Sequence, residues 1–220
     1  MYRSLTKRLA QCLTGAALMA VAGWPQAGED PAGELASAIR SGDLDRIERL
    51  LDGGVSPELR IGPDKALTWA AGLGAIDAMT LLRARGAGPD ADAALAAATE
   101  GRTAALALLL DWGIDPDTAD PYRMTLLSTA ALHGHAETLG LLLDRGADWA
   151  IPELVYGYTP LILAAAHGHP EVVRRLIEHG ADPDARTDDR WSALAWAQAR
   201  RSLGGGYPET IALLQAAGAH

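Results

Sequence analysis

The chain has 220 residues, no Phe, a single Cys and a formal net charge of −9. That length supports a sizeable core, and a core without Phe must be built from Ala, Leu, Val and Ile, which suits thin helices packed closely together. The acidic balance argues against a nucleic-acid partner, which needs clustered Lys and Arg to neutralise phosphates, and permits a cationic protein partner steered by charge.

The first predicted element is a targeting segment. Arg3, Lys7 and Arg8 precede the uncharged run LAQCLTGAALMAVAG (9–23), and Ala20-Val21-Ala22 supplies small residues at a cleavage site. This is the layout of a signal peptide over residues 1–22. The apolar run is shorter than the roughly 20 residues that span a bilayer. No membrane insertion is therefore expected after cleavage; an uncleaved anchor is the alternative. Cys12 lies inside the run, so the mature chain carries no cysteine and its charge becomes −12. A cysteine-free chain suits an oxidising compartment, and the expected location is the bacterial periplasm. Residues 23–33 read as a flexible linker rich in Gly, Pro and polar residues.

From residue 34 onward one pattern recurs. Six glycine pairs stand twelve residues apart, from Gly42/Gly54 through Gly134/Gly146 and Gly168/Gly180 to Gly206/Gly218. A leucine follows the first glycine of every pair by eight residues (Leu50, Leu82, Leu109, Leu142, Leu176, Leu214). An alanine precedes it by four residues in five of the six copies. Three registered positions in six copies define a repeat protein. Its units span approximately 34–57, 65–90, 92–117, 125–150, 159–184 and 192–220, within one repeat domain of residues 34–220. Each unit opens with a short Ala-rich helix, as at 159–165, where Thr159 can cap the free N–H groups and Pro160 sits where a missing N–H costs nothing. A glycine turns the chain. A second helix follows, with its apolar stripe on Val172, Val173, Leu176 and Ile177. Gly180 stops that helix, and Ala-Asp-Pro-Asp leads to the next unit.

In this register, GYTPLILAAAHGHPEVVRRLIEHGADPDA (157–185) resembles the ankyrin repeat, as do residues 34–57, 65–90 and 123–148. The resemblance covers about residues 34–219. It implies an all-α helical solenoid of about six helix-turn-helix units with short β-hairpin or loop fingers. It also implies a protein partner bound on the concave face made by the fingers and first helices. Two departures stand out. Successive first glycines are spaced 32, 27, 33, 34 and 38 apart. The 27 leaves the linker AGPDADA (87–93) too short for a full finger in the third unit, which also has Ala94 where the family has leucine. The 38 reflects about five residues inserted at RRSLGGG (200–206) before the last helix. The end units read as caps closing the core.

No phosphate-binding loop, nucleophile elbow or zinc-type cysteine spacing is present. No catalytic residue, no metal and no cofactor is therefore expected, and the chain reads as a non-enzyme. Asp115, Asp117, Asp148, Asp182 and Asp184 fall in inter-repeat turns, where carboxylates hold backbone; DPDARTDD (182–189) is the one stretch with enough carboxylates to suggest calcium. His-Gly-His occurs twice. His135 and His169 follow the turn glycine, where the ankyrin family commonly has His, and read as braces bonded to turn backbone. His133 and His167 precede it and read as contact residues on the concave face; a metal-dependent enzyme built on them is the outside alternative.

The resemblance implies which positions vary with the partner: the finger tip, the residue before the Thr-Pro position and the two before the turn glycine. Here they are Tyr122, Met124, Leu132 and His133, then Tyr156, Tyr158 and His167, then Asp188, Asp189, Trp191 and Arg200. Tyr, Trp and Arg are enriched at interface hot spots because they combine area with a polar handle. The competing reading has the aromatics covering the fingers for stability. Trp69 and Trp196 fall at buried first-helix positions, and Trp149 reads as packing between repeats. The expected function is a non-catalytic protein–protein interaction module of the periplasm, with a cationic effector or enzyme as the partner that the charge suits. Immunity against a periplasm-delivered toxin or lipase effector, and an accessory role in periplasmic oxidative-stress defence, are the alternatives.

Overall fold

The computed structural model describes residues 30–220. The signal-peptide segment and residues 23–29 of the expected linker lie outside the described residues. The rest of that linker is not a linker. Asp30 caps a helix by accepting the N–H of Ala32 at 3.0 Å, and Pro31 opens it. An Asp-Pro pair supplies a cap acceptor and a preset φ for the first turn, so residues 31–33 are helical.

The chain divides into two compact units, with the boundary in sequence between Gly88 and Pro89. The first contains α1 (Pro31–Ser41), α2 (Leu44–Asp52), the strands β1 (Arg60–Ile61) and β2 (Asp64–Lys65), α3 (Ala66–Leu73) and α4 (Ile76–Ala84). The two strands pair antiparallel, Arg60 with Lys65 and Ile61 with Asp64. In this unit α1 packs on α3 and α2 on α4, so each helix meets its counterpart in the next repeat. The core is Leu35, Ile39, Ile47, Leu67, Met79 and Leu82, all essentially inaccessible to solvent.

The second unit contains α5 (Ala91–Thr99), α6 (Thr103–Asp111), α7 (Leu126–His133), α8 (Ala136–Asp144), α9 (Pro160–His167), α10 (Pro170–Glu178), α11 (Ala193–Arg200) and α12 (Tyr207–Ala216). A short 3-10 turn, Arg201–Leu203, holds part of the insertion. First helices stack on one another (α5, α7, α9, α11), and second helices do the same (α6, α8, α10, α12). The first helices carry alanines that are fully buried at Ala94, Ala97, Ala130, Ala164 and Ala197, and small side chains there let helix axes approach. Thr125, Thr159 and Ser192 cap α7, α9 and α11 through their hydroxyls. Arg175 of α10 crosses α8 at Gly140, where a Cβ would stand 2.7 Å from the guanidinium nitrogen. Among the described residues, no helix is long and apolar enough to cross a membrane.

Candidate partner-binding face

Three fingers of the second unit carry Tyr122, Met124, Tyr156, Tyr158, Asp188, Asp189 and Trp191, while Leu132, His133, His167 and Arg200 lie near the C-terminal ends of the first helices; each finger tip is held by one polar side chain. In the finger before α7, Ala119 pairs with Thr125. Asp120 accepts the N–H groups of Tyr122 and Met124, both at 2.8 Å. The tip residue Arg123 is left-handed, with φ 60. In the finger before α9, the buried carboxylate of Glu153 accepts the N–H groups of Val155 (2.6 Å), Tyr156 (2.7 Å) and Tyr158 (3.2 Å). In the finger before α11, Arg186 pairs with Ser192 and the Thr187 hydroxyl accepts the N–H of Trp191 at 3.0 Å. Adjacent fingers are joined by backbone: Leu154 N–H donates to Tyr122 C=O at 2.9 Å, and Asp188 N–H to Tyr156 C=O at 3.0 Å. The side chains thus stand on tips with fixed backbone, which lowers the entropy lost on binding.

Four rings form a row. Tyr156 and Tyr158 lie 5.7 Å apart between centroids, Tyr158 and Trp196 5.7 Å, and Trp196 and Trp191 5.1 Å, all tilted. Such tilted pairs are favoured by the ring quadrupoles. The guanidinium of Arg200 sits over Trp196 at 5.3 Å and also donates to Ala166 C=O. The ends of the row are accessible: Trp191 is 39% exposed and Tyr156 half-buried. The middle is closed.

Tyr158 is therefore a correction to the expected contact set. Only 6% of it is exposed. The large Trp196 ring of the following repeat packs against it, and Glu153 draws in its backbone. Burial pushes its phenol up to about 12, partly offset by the nearby Arg200 cation. It supports the face from beneath. The other expected residues are accessible to differing degrees. Tyr122 (54%), Asp188, Asp189 and Trp191 are exposed; Met124, Leu132, His133, Tyr156, His167 and Arg200 are half-buried. Leu154 (56%) and Val155 (49%) join the exposed tips. Periodicity gave no sign of them, because they follow Glu153 in a loop whose shape depends on that carboxylate. Tyr122 was reached through the finger-tip position that the resemblance implies, and the structure adds that Asp120 holds it by an Asx turn.

The histidines resolve into two roles. His135 donates from Nε2 to Thr99 C=O at 2.8 Å, and His169 to Leu132 C=O at 3.0 Å. Each reaches into the preceding repeat and lies flat on its turn glycine. At Gly134 (φ 77) a Cβ would stand 2.6 Å from Nδ1 of His169, so both the backbone and the ring require glycine. In the last repeat Tyr207 takes this place: its ring covers Gly168, and its hydroxyl donates to Ala166 C=O at 3.2 Å. All three braces bond the carbonyl two residues before the covered glycine. His133 and His167 instead donate from Nδ1 to Thr129 C=O (2.9 Å) and Leu163 C=O (3.0 Å), within their own helices. They stack on their neighbours, His133 on His135 at 5.9 Å and His167 on His169 at 6.3 Å. Burial holds His167 and His169 below the ordinary histidine pKa. Among the described residues, no three His, Cys, Asp or Glu side chains gather as metal ligands.

Comparison with known proteins agrees with this architecture. The family described as ankyrin repeats (3 copies) matches residues 67–153 and 127–220. The chain belongs to the ankyrin repeat family, and its fold is the all-α ankyrin fold. Among solved structures it is similar to an ankyrin repeat domain from Acinetobacter baumannii, at 28% identity and a TM-score of 0.69, covering 84% of this chain and 98% of that one. It is similar to the ankyrin repeat domain of Bcl-3, a member of the IkappaB family, at 28% identity and a TM-score of 0.68, covering 89% of each chain. The human ASB11 ankyrin repeat domain shares the fold at 21% identity and a TM-score of 0.73, covering 96% of this chain and 93% of that one. No curated protein matches the chain. Ankyrin repeat domains are generally non-catalytic modules that bind proteins.

Proposed function

We propose that this chain is a non-catalytic binding module of the bacterial periplasm that holds a protein partner on the three fingers between residues 115 and 192. The observation that carries the reading is the tip set, with Tyr122, Leu154, Val155 and Trp191 exposed and Tyr156 half-buried, on backbone pinned by Asp120, Glu153, Thr187 and the bond from Leu154 N–H to Tyr122 C=O. Export rests on the basic start, apolar run and small-residue site of residues 1–22. The test replaces Tyr156 and Trp191 with alanine. Partner binding should fall while helicity and melting midpoint stay close to those of the parent. Unchanged affinity would remove the face from the proposal.

Immunity against a toxin or lipase effector delivered to the periplasm is the more specific reading, favoured by the net charge of −9 and the aromatic tips. An acidic inhibitor gains association rate toward a basic enzyme. A toxin gene beside this one supports immunity. A catalase gene there supports an accessory role in oxidative-stress defence.

A further inference from the structure

Most carboxylates of the second unit's inter-repeat segments are committed to backbone. Asp115, Asp117, Asp120, Asp148, Asp182 and Asp184 each accept at least one N–H, and Glu153 accepts three. Asp188 and Asp189 are different. Both are exposed, and among the described residues neither side chain accepts a hydrogen bond or joins an ion pair. The adjoining Arg190 is also exposed and does not pair with them. Arg186 donates to Arg190 C=O and forms no ion pair with them, and Arg200 is occupied by Trp196 and Ala166.

These two carboxylates belong to the same finger as Trp191, and that finger is bonded to the one that carries Tyr156. Asp188 is bonded through its N–H to Tyr156, and its carboxylate lies against the tip of that finger, 2.8 Å from where a Cβ at Gly157 would be. Trp191 is three residues further on. A planar cation can lie on an aromatic face and pair with a carboxylate at once, and guanidinium does so better than ammonium because it is flat and weakly hydrated. We infer that the Asp188–Asp189 pair, flanked by Tyr156 and Trp191, is the seat of an arginine side chain presented by the protein partner. This rests on the reading of the fingers as the binding face, and it gives that face its charge preference.

The probes are N-acetylated, amidated hexaarginine, hexalysine and hexaglutamate, titrated into the full chain by calorimetry and by NMR of the tryptophan indole N–H signals. Hexaarginine should bind, shift the Trp191 signal and bind more tightly than hexalysine. Asp188→Asn with Asp189→Asn should weaken it about tenfold, equivalent to ~1.4 kcal/mol. Asp77→Asn with Asp144→Asn, which removes the same charge from exposed positions elsewhere, should change it less than about twofold if the contact is local. Equal losses in the two double variants would mean attraction to overall charge and overturn the site. So would a Trp191 signal that hexaarginine leaves unmoved, or hexalysine bound as tightly. Hexaglutamate shifting Trp191 would overturn the arginine seat while leaving the fingers as a binding face. A partner retained by the Tyr156, Trp191 alanine variant would remove the face itself.

Discussion

Trp69 and Trp196 occupy the same place in their repeats, four residues after the cap position of the first helix, yet their surroundings are opposite. In the first unit the finger closes on itself. Its strands pair at Arg60–Lys65 and Ile61–Asp64, and Trp69 donates its indole N–H to Ile61 C=O at 3.0 Å. In the last finger the bridge from Arg186 to Ser192 encloses one residue more. The indole N–H of Trp196 is buried there without a hydrogen-bond partner. Leaving such a donor unmade costs about 1–3 kcal/mol. What the longer finger gains is Trp191 at its tip, with Asp188 and Asp189 beside it. The first finger is finished for stability; the last gives up a bond to carry side chains outward.

Substitutions can break or sharpen that contrast. The largest effects belong to the cores. Leu82→Ala and Leu142→Ala should each cost about 2–5 kcal/mol, since both side chains are fully buried. Comparable losses in urea unfolding would place the difference between the units in the fingers alone. An unchanged midpoint for Leu142→Ala would contradict the repeat register. Next comes Glu153→Ala, which leaves three N–H groups without their acceptor and should cost about 1–3 kcal/mol. In the first unit Glu58 accepts a single N–H, that of Gly88, and pairs with Lys65 at a half-exposed site, so Glu58→Ala should cost less. Equal effects would deny Glu153 its special place. Trp69→Phe should then exceed Trp196→Phe by about 1 kcal/mol, the worth of the hydrogen bond that only Trp69 makes; a reversed order would contradict the contrast directly.

Acid separates the units more gently. All six histidines lie between residues 133 and 220, and none in the first unit. His167 and His169 titrate near 6.5 when unfolded and lower when folded, because burial disfavours the cation. The unfolded chain therefore binds more protons just below that pH. Their stabilising contribution is complete above pH 6.5 and declines as pH falls through the window beneath it. Hydrogen exchange at pH 5 should show lost protection around α9 and the turn at Gly168 before any change in α1 to α4. Simultaneous loss in both units would rule out these histidines as the cause.

The repeat register was legible because its markers are backbone requirements. Left-handed residues end the first helices at Gly42, Gly74, Gly134 and Gly168, and hydroxyl caps start them at Thr125, Thr159 and Ser192. Local rules of this kind leave local signatures. The braces were half legible. A histidine after two of the turn glycines suggested a bond to turn backbone, but its acceptor lies in the preceding repeat, and Tyr207, though it follows Gly206 in the same register, is not the histidine by which the brace was read. Tyr158 shows the limit. The residue before the cap is exposed at Trp191, half-buried at Met124 and covered at Tyr158. The difference is set by what the next repeat presents, here Trp196, which no local pattern encodes. Glu153 left no signal, since a single glutamate in a loop reads as a solvated charge until three N–H groups converge on it.

Photocrosslinking from the fingers tests the central claim most directly. A benzophenone side chain would be placed at position 156, at position 191 and, as the control, at exposed position 77 on α4, and irradiated in cells expressing the chain. The expected result is one protein captured from both 156 and 191 and absent from 77. Capture of that protein from 77 as efficiently as from the fingers, or from neither finger position, would contradict a partner held on the aromatic tips.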